Sequence, residues 1–286
     1  MKKWVGKIAM GLALVLGLAA CGQKKTEDKT INIGSMVSDV TIWRHIAKSP
    51  EAKKMGLKIK VTSFQDGVQL NQATLDGSVD VNAFQSYAYF QAFNKEQKAG
   101  KQVALGTTYL EPMGIYSDKH KNLKHIPDGA TVVIANDAAN ETRGLELLAK
   151  AGLITLPKNF DALGKVQDIQ SNPHHLKFKE AQDNTIPRLM KDADYGLLAN
   201  TVAYEAGLNV LKDALYHEKV DQTTRKNVNI LATAAKNKDN KAYRKLTTLY
   251  HKPAIQKWLT KKFGGTKVEV QKPISYLKKL GGIYHG

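Results

Sequence analysis

Cysteine is almost absent from this sequence: Cys21 is the only one in 286 residues. One thiol excludes an internal disulfide and a multi-cysteine metal site, so any folded part must be held by packing alone. Other signatures are also missing. There is no Gly-x-Ser-x-Gly elbow, no phosphate-cradling glycine-rich loop and no His-Glu-x-x-His helix. No carboxylate spacing marks an acid–base pair, and His174 and His175, on the strand they are expected to enter, point to opposite faces. His120 and His125 flank a lysine-rich loop and read as solvated. A binding role is therefore expected rather than catalysis, with no cofactor and no metal. No repeat period or low-complexity tract interrupts the chain.

Nor is there a membrane span at the start of the chain. The apolar run from Ile8 to Ala20 is too short for a helix across a bilayer core of ~30 Å. It follows Lys2, Lys3 and Lys7 and closes on Leu18-Ala19-Ala20-Cys21. A basic start, a short apolar core and small residues before a cleavage point describe a secretory signal. Cysteine in the first mature position can carry a diacylglycerol on its thiol and an acyl chain on its amine. Residues 1–20 therefore read as a lipoprotein signal peptide, Cys21 as the lipidation site and 21–30 as a flexible polar tether. The protein is expected to be exported and lipid-anchored on the outer face of the cell membrane, or on the periplasmic side in a two-membrane cell.

Charge is strongly one-sided, at +17 overall, and three of those lysines belong to the signal, leaving +14 on the mature chain. Such a balance suits anionic lipid headgroups or envelope polyanions; with the positive residues dispersed, a lysine-rich, soluble surface is the better explanation. No arginine-rich or aromatic-interleaved module points to nucleic acid.

Short apolar strands alternate with amphipathic helices in two series. Strands are expected at 31–36, 58–64, 80–84, 103–107 and 113–116, with helices at 41–54 (interrupted near Pro50), 71–75 and 86–98. The second series has strands at 130–135, 176–180, 195–199 and 229–233. Its helices fall at 140–150, 186–191 and 240–263, the last broken at Pro253. This alternation implies α/β architecture with helices on both faces of each sheet, in two lobes.

Arg143 is the leading candidate for chemistry. Asn140 reads as a helix N-cap, and Arg143 follows three residues later in the first turn. A guanidinium beside a helix N-terminus can grip a carboxylate with two parallel hydrogen bonds; a surface ion pair with Glu141 or Glu146 is the plain alternative. Asn200, after the strand 195–199, offers a donor and an acceptor where open α/β sheets bind ligands, or else caps a helix. Asn229 has the same ambiguity. The block NAFQSYAYF (82–90) puts Phe84 and Tyr89 at a strand-to-helix turn, as pocket wall or as core.

Six blocks in order carry a resemblance: DVNAFQ (80–85), EPMGIYS (111–117), NDAANETR (136–143), NP (172–173) with LK (176–177), IPR (186–188) and LAN (198–200). Together they resemble the methionine-binding, NlpA-type lipoproteins of ABC importers, over essentially the whole mature chain. The resemblance implies a type II periplasmic-binding-protein fold, two α/β lobes joined by a hinge with a ligand cleft between them. Lobe 1 would comprise 31–111 and 226–286, and lobe 2 would comprise 112–225. It implies a monomeric partner of an ABC permease and its ATPase, capturing methionine or a related amino acid. It also implies that Arg143 grips the ligand carboxylate, Asn200 and Asn229 bind its polar end, and Phe84 and Tyr89 surround its side chain, with Asn140 and Ser86 beside them. The sequence departs from the family at Gly67 and Leu70, where tyrosine and proline are usual, and at Ser86, where histidine is usual. A widened pocket taking a short peptide or a bulkier amino acid is the alternative, and a surface adhesin the alternative outside transport.

Overall fold

The structure is a computed structural model that describes residues 30–98, 100–160, 164–219 and 222–278. The signal, Cys21 and nearly all of the tether lie outside the described residues.

In chain order the first series runs β1 (Ile31–Met36), α1 (Val37–Lys48), α2 (Pro50–Lys54), β2 (Ile59–Phe64), α3 (Gly67–Asp76), β3 (Val81–Ser86), α4 (Tyr87–Glu96) and β4 (Gln102–Thr107). After β5 (Tyr109–Leu110) come β6 (Met113–Tyr116), β7 (Thr131–Ala135), α5 (Ala138–Lys150), β8 (Lys177–Ala181), α6 (Ile186–Leu189), β9 (Tyr195–Ala199), α7 (Asn200–Glu205) and β10 (Tyr216–His217). The chain ends with β11 (Asn229–Ala234), α8 (Lys241–Tyr250), α9 (Pro253–Phe263), β12 (Val268–Glu269) and α10 (Ile274–Lys278).

Two five-stranded sheets result. The first has the order β2-β1-β3-β11-β4 and the second β10-β6-β9-β7-β8. Each has a parallel trio, β2-β1-β3 and β9-β7-β8, and each adds an antiparallel strand beside it, β11 against β3 and β6 against β9. The composition of β7 explains its place. Val132 and Ile134 pack into one apolar cluster with Leu145 and Leu148 of α5, while Val133 and Ala135 pack into another with Ile186 and Leu198. Alternation with both faces buried is what a parallel sheet under two helical layers requires. The first sheet buries Ile33 and Val81 with Ile42, Trp43 and Ile46 of α1 and with Leu246 and Leu249 of α8.

The chain crosses between the sheets through residues 108–112 and again after β10, before β11, and β12 pairs with β5 on the first crossing. Across the junction, α1 packs against α7 and α4 against α5. The two-residue strands β5, β10 and β12 are too short to show a period in sequence. Two helix starts differ from expectation for one reason, an aspartate cap. Asp66 accepts from the Gln69 amide at 2.8 Å and starts α3 at Gly67 rather than Asn71. Asp137 accepts from the Asn140 amide at 3.0 Å, so Asp137 is the N-cap of α5 and Asn140 lies inside the first turn.

Candidate functional site

A cavity of about 560 Å³ opens between the two sheets, within the range of small-molecule sites. The first sheet and its helices contribute Val37, Gly67, Phe84, Ser86, Tyr89 and Asn229. The second contributes Asp137, Asn140, Arg143 and Asp183, and Glu111 comes from the first crossing segment. Val37 sits at φ 48, a left-handed conformation at a β-branched residue. Such backbone costs on the order of 1–3 kcal/mol and concentrates at functional sites.

Arg143 is 5 % exposed. Its partner is Glu218 on the second crossing segment, neither Glu141 nor Glu146. Nε lies 3.0 and 3.1 Å from the two Glu218 oxygens and Nη2 lies 2.5 Å from Oε2. Nη2 also donates to the Glu111 carbonyl at 2.7 Å, and Glu218 accepts from the Met113 amide at 2.9 Å. The two-pronged edge expected for a ligand carboxylate is thus taken by the hinge. Nη1 makes no hydrogen bond among the described residues, so it is the donor left for the cavity. Burial opposes the charge on Arg143, but Glu218 outweighs it and the pKa stays above its usual value.

Asn200 also departs from expectation. It is 1 % exposed and not on the cavity wall, and its Nδ2 donates to Glu111 Oε2 at 2.8 Å and to Thr266 Oγ1 at 3.1 Å. Its place is behind the site, holding Glu111. Beside it Lys267, fully buried, donates to Glu111 at 2.8 Å, to Thr201 at 2.9 Å and to Asp39 at 3.3 Å, and lies over the Tyr109 ring at 4.1 Å. Burial pushes the Glu111 carboxyl up, yet Lys267 with the bonds from Asn200 and Thr201 holds it below the ordinary value. Asp39 stays raised, because burial exceeds what the more distant Lys267 offers.

On the aromatic wall, Phe84 and Tyr89 meet edge to face, 5.8 Å between centroids. Ser86 caps α4, its hydroxyl accepting from the Tyr89 amide at 3.2 Å. A Cβ at Gly67 would stand 2.8 Å from both the Phe84 ring and the Tyr89 hydroxyl. Phe84 and Tyr89 therefore already occupy the space that a side chain at 67 would take. Asn229 is buried yet on the cavity wall.

Opposite lies a pair that the sequence reading missed. Asp137 and Asp183 are joined by Asn140, whose Nδ2 donates to Asp137 at 3.0 Å and to Asp183 at 2.9 Å. Burial, and then the Asp137 charge, push the Asp183 carboxyl up to about 8, and burial also raises Asp137. Asp137 was visible only as part of the helix-start block. Asp183 had no signal, because it opens a 3₁₀ turn (Asp183–Thr185) forty-three residues beyond Asn140 in sequence. Among the described residues, no group of three His, Cys, Asp or Glu side chains converges to hold a metal ion. His120 is bonded to Asp194 at 3.0 Å and stacked on Tyr195 rather than solvated. His175 lies in a turn at φ 48 before β8 begins at Lys177, and pairs with Asp128 at 2.6 Å.

Two mixed sheets of matching strand order, joined by crossing segments around a polar cavity, define the substrate-binding-protein fold of ABC importers. A solved structure of an ABC-transporter periplasmic substrate-binding protein from Coxiella burnetii shares it, at TM-score 0.79 and 30% identity over 84% of this chain and 100% of that one. The sequence profile of the NlpA lipoproteins matches residues 31–271, and the chain belongs to that family. The D-methionine-binding lipoprotein MetQ of Escherichia coli K12 is 33% identical over 267 residues, 93% of this chain and 96% of the relative. A nutrient-binding protein from Burkholderia cenocepacia, solved bound to methionine, is 34% identical at TM-score 0.79, covering 84% of this chain and 99% of the other.

Proposed function

We propose that this protein is the membrane-anchored substrate-binding component of an ABC importer, capturing methionine or a related amino acid and delivering it to a permease and its ATPase. Cys21 would carry the lipid. The observation that carries the reading is Arg143, buried on the cavity wall with Nη1 unbonded while its other edge is tied to both crossing segments. A ligand carboxylate at Nη1 gains a charged partner at the point where the halves join. Phe84 and Tyr89 then cover the ligand from the other sheet. The ligand favours closure only as far as it binds the closed form better. The methionine-bound Burkholderia relative and the D-methionine-binding relative support the ligand class.

A short peptide is the second reading, favoured by the cavity volume. A cavity of about 560 Å³ lies in the middle of the range of small-molecule sites, which admits a ligand longer than one amino acid. Gly67 is not the source of that room, since aromatic rings fill its place. A melting panel of amino acids and dipeptides tests both readings. A ligand at one hundred times its Kd should stabilise the fold by ~2.7 kcal/mol, a rise of about 5–10 °C for a chain of this size. The importer reading fails if no member of the panel raises the melting temperature.

A further inference from the structure

Positive residues that lie scattered along the sequence are gathered by the fold. Strands β1, β2, β3 and β4 all start at one end of the first sheet, and β11 finishes there. The segments meeting at that end are bonded to one another. The Ile31, Asp80 and Ala235 amides donate to the carbonyls of Lys58, Asn32 and Lys101 at 2.8, 3.0 and 2.9 Å respectively. Residues 48–60, 76–80, 100–101 and 235–245, which form this end, hold eleven lysines and arginines against four acids. Two of the acids are engaged inside the chain, Asp80 by the Asn32 amide at 2.8 Å and Asp76 by the Ser78 amide at 2.7 Å. Lys58, Lys60, Lys101, Lys236, Lys238 and Lys241 are exposed. Lys241 opens α8, and no acid stands in that first turn, so its charge opposes the helix dipole.

The other ends of the same strands reach the cavity, at Met36, Phe84 and Asn229, about 20 Å away for strands of six residues. There the sign reverses, and seven carboxylates line the wall with two cations. The lobe is therefore basic at one end and acidic at the other. The point where the chain leaves for its N-terminus, Ile31, belongs to the basic end. Ten residues, 21–30, separate it from Cys21, and no chain of that length spans more than about 35 Å.

Building on the reading of Cys21 as the lipid carrier, we propose that this end of the first sheet is a membrane-docking face for anionic lipid headgroups. The lipid keeps the face within reach of the bilayer, and the lysines hold the lobe against it with the cavity on the far side. Attraction to an anionic surface fades within a Debye length, about 8 Å at physiological salt. A short tether turns that encounter into an intramolecular one.

Co-sedimentation of the mature chain carrying Cys21→Ser, and so no lipid, separates the face from its anchor. The vesicles are phosphatidylcholine alone, or equal parts phosphatidylcholine and phosphatidylglycerol. Binding is expected only to the anionic vesicles, and added salt should release it. Lys236→Gln, Lys238→Gln and Lys241→Gln together should weaken it by about a hundredfold, at about fivefold for each lysine removed. Lys121→Gln, Lys191→Gln and Lys212→Gln, exposed around the second sheet, remove the same charge and should leave binding near that of the parent. Equal or no binding to the two kinds of vesicle, or equal losses in the two triple variants, overturns the docking face. Binding to soluble polyphosphate but not to vesicles assigns the face to another polyanion and overturns it too. Ligand-induced melting of the same variants should match the parent, so these failures leave the importer reading intact. If the full chain, expressed with its signal, never joins the membrane fraction, the anchor reading falls and the proposal with it.

Discussion

Two sets of charges, one buried and one half-buried, lie within one cavity's reach, and they are built on different plans. At the hinge, each carboxylate has a cation: Glu218 has Arg143, while Glu111 and Asp39 share Lys267. At the cavity wall, Asp137 and Asp183 are half-buried and accept hydrogen bonds from Asn140, and among the described residues Arg143 reaches Asp183 through its charge alone. The hinge set answers its own desolvation cost inside the chain, so it is finished without a ligand and works as structure. The wall pair is unfinished, its charge partly suppressed by a retained proton. Full pairing offsets the desolvation cost of the buried set, while the half-buried pair keeps part of its exposure to solvent.

Removing Arg143 should produce the largest effect, because it belongs to both plans. Arg143→Ala strands Glu218, 5 % exposed, between the crossing segments. Breaking a buried pair from one side costs about 3–5 kcal/mol of stability, read by urea denaturation, and calorimetry should find no ligand binding. Arg143→Lys keeps a charge but loses the planar fork, and should recover part of the stability without the binding. A stable Arg143→Ala variant with intact affinity would break the comparison at its strongest point.

Lys267→Met tests the hinge alone. Asp39 and Glu111 then lose their shared cation in a fully buried setting. The loss should be about 3 kcal/mol, the lower end for such pairs, since Asp39, already raised, can take up a proton. Glu111 is held below its ordinary value by Lys267, so in the unaltered protein that contribution is present at neutral pH and is lost as pH falls through the depressed value. The gap between variant and parent should therefore narrow in acid. A gap independent of pH would mean that the lysine acts through packing over Tyr109 rather than through charge.

How much of this contrast was legible in the sequence follows from distance along the chain. Continuous apolar runs such as 130–135 and 195–199 gave the strands within a residue, because burial on both faces leaves a local apolar trace. Arg143, Phe84, Tyr89 and Asn229, all on the cavity wall, belong to blocks that carry their own neighbours. Glu218, Lys267 and Asp183 were not. Each meets its partner across 75, 156 and 43 residues respectively, and no period or motif encodes such a pairing. The bonds of Asn200 were hidden for the same reason. Its position after β9 is that of a ligand contact, but Glu111, eighty-nine residues away, takes its amide.

The smallest expected effect gives the finest resolution. Asp137 does two things at once, capping α5 and charging the cavity wall. Serine caps a helix about as well as aspartate, so Asp137→Ser removes the charge and keeps the cap, and stability at pH 5 should change by about 0.5 kcal/mol or less. The pH profile is where it should show. A carboxyl raised in the folded state binds a proton there that the unfolded chain has already released. The Asp183 contribution is therefore full in acid and is lost as pH rises from about 4 toward about 8. Without the Asp137 charge, burial alone raises Asp183, and the window should close at a lower pH. Asp183→Asn should erase the window. If denaturation curves across this range are identical for the parent and both variants, the two carboxylates do not share a proton, and the wall pair is as complete as the hinge.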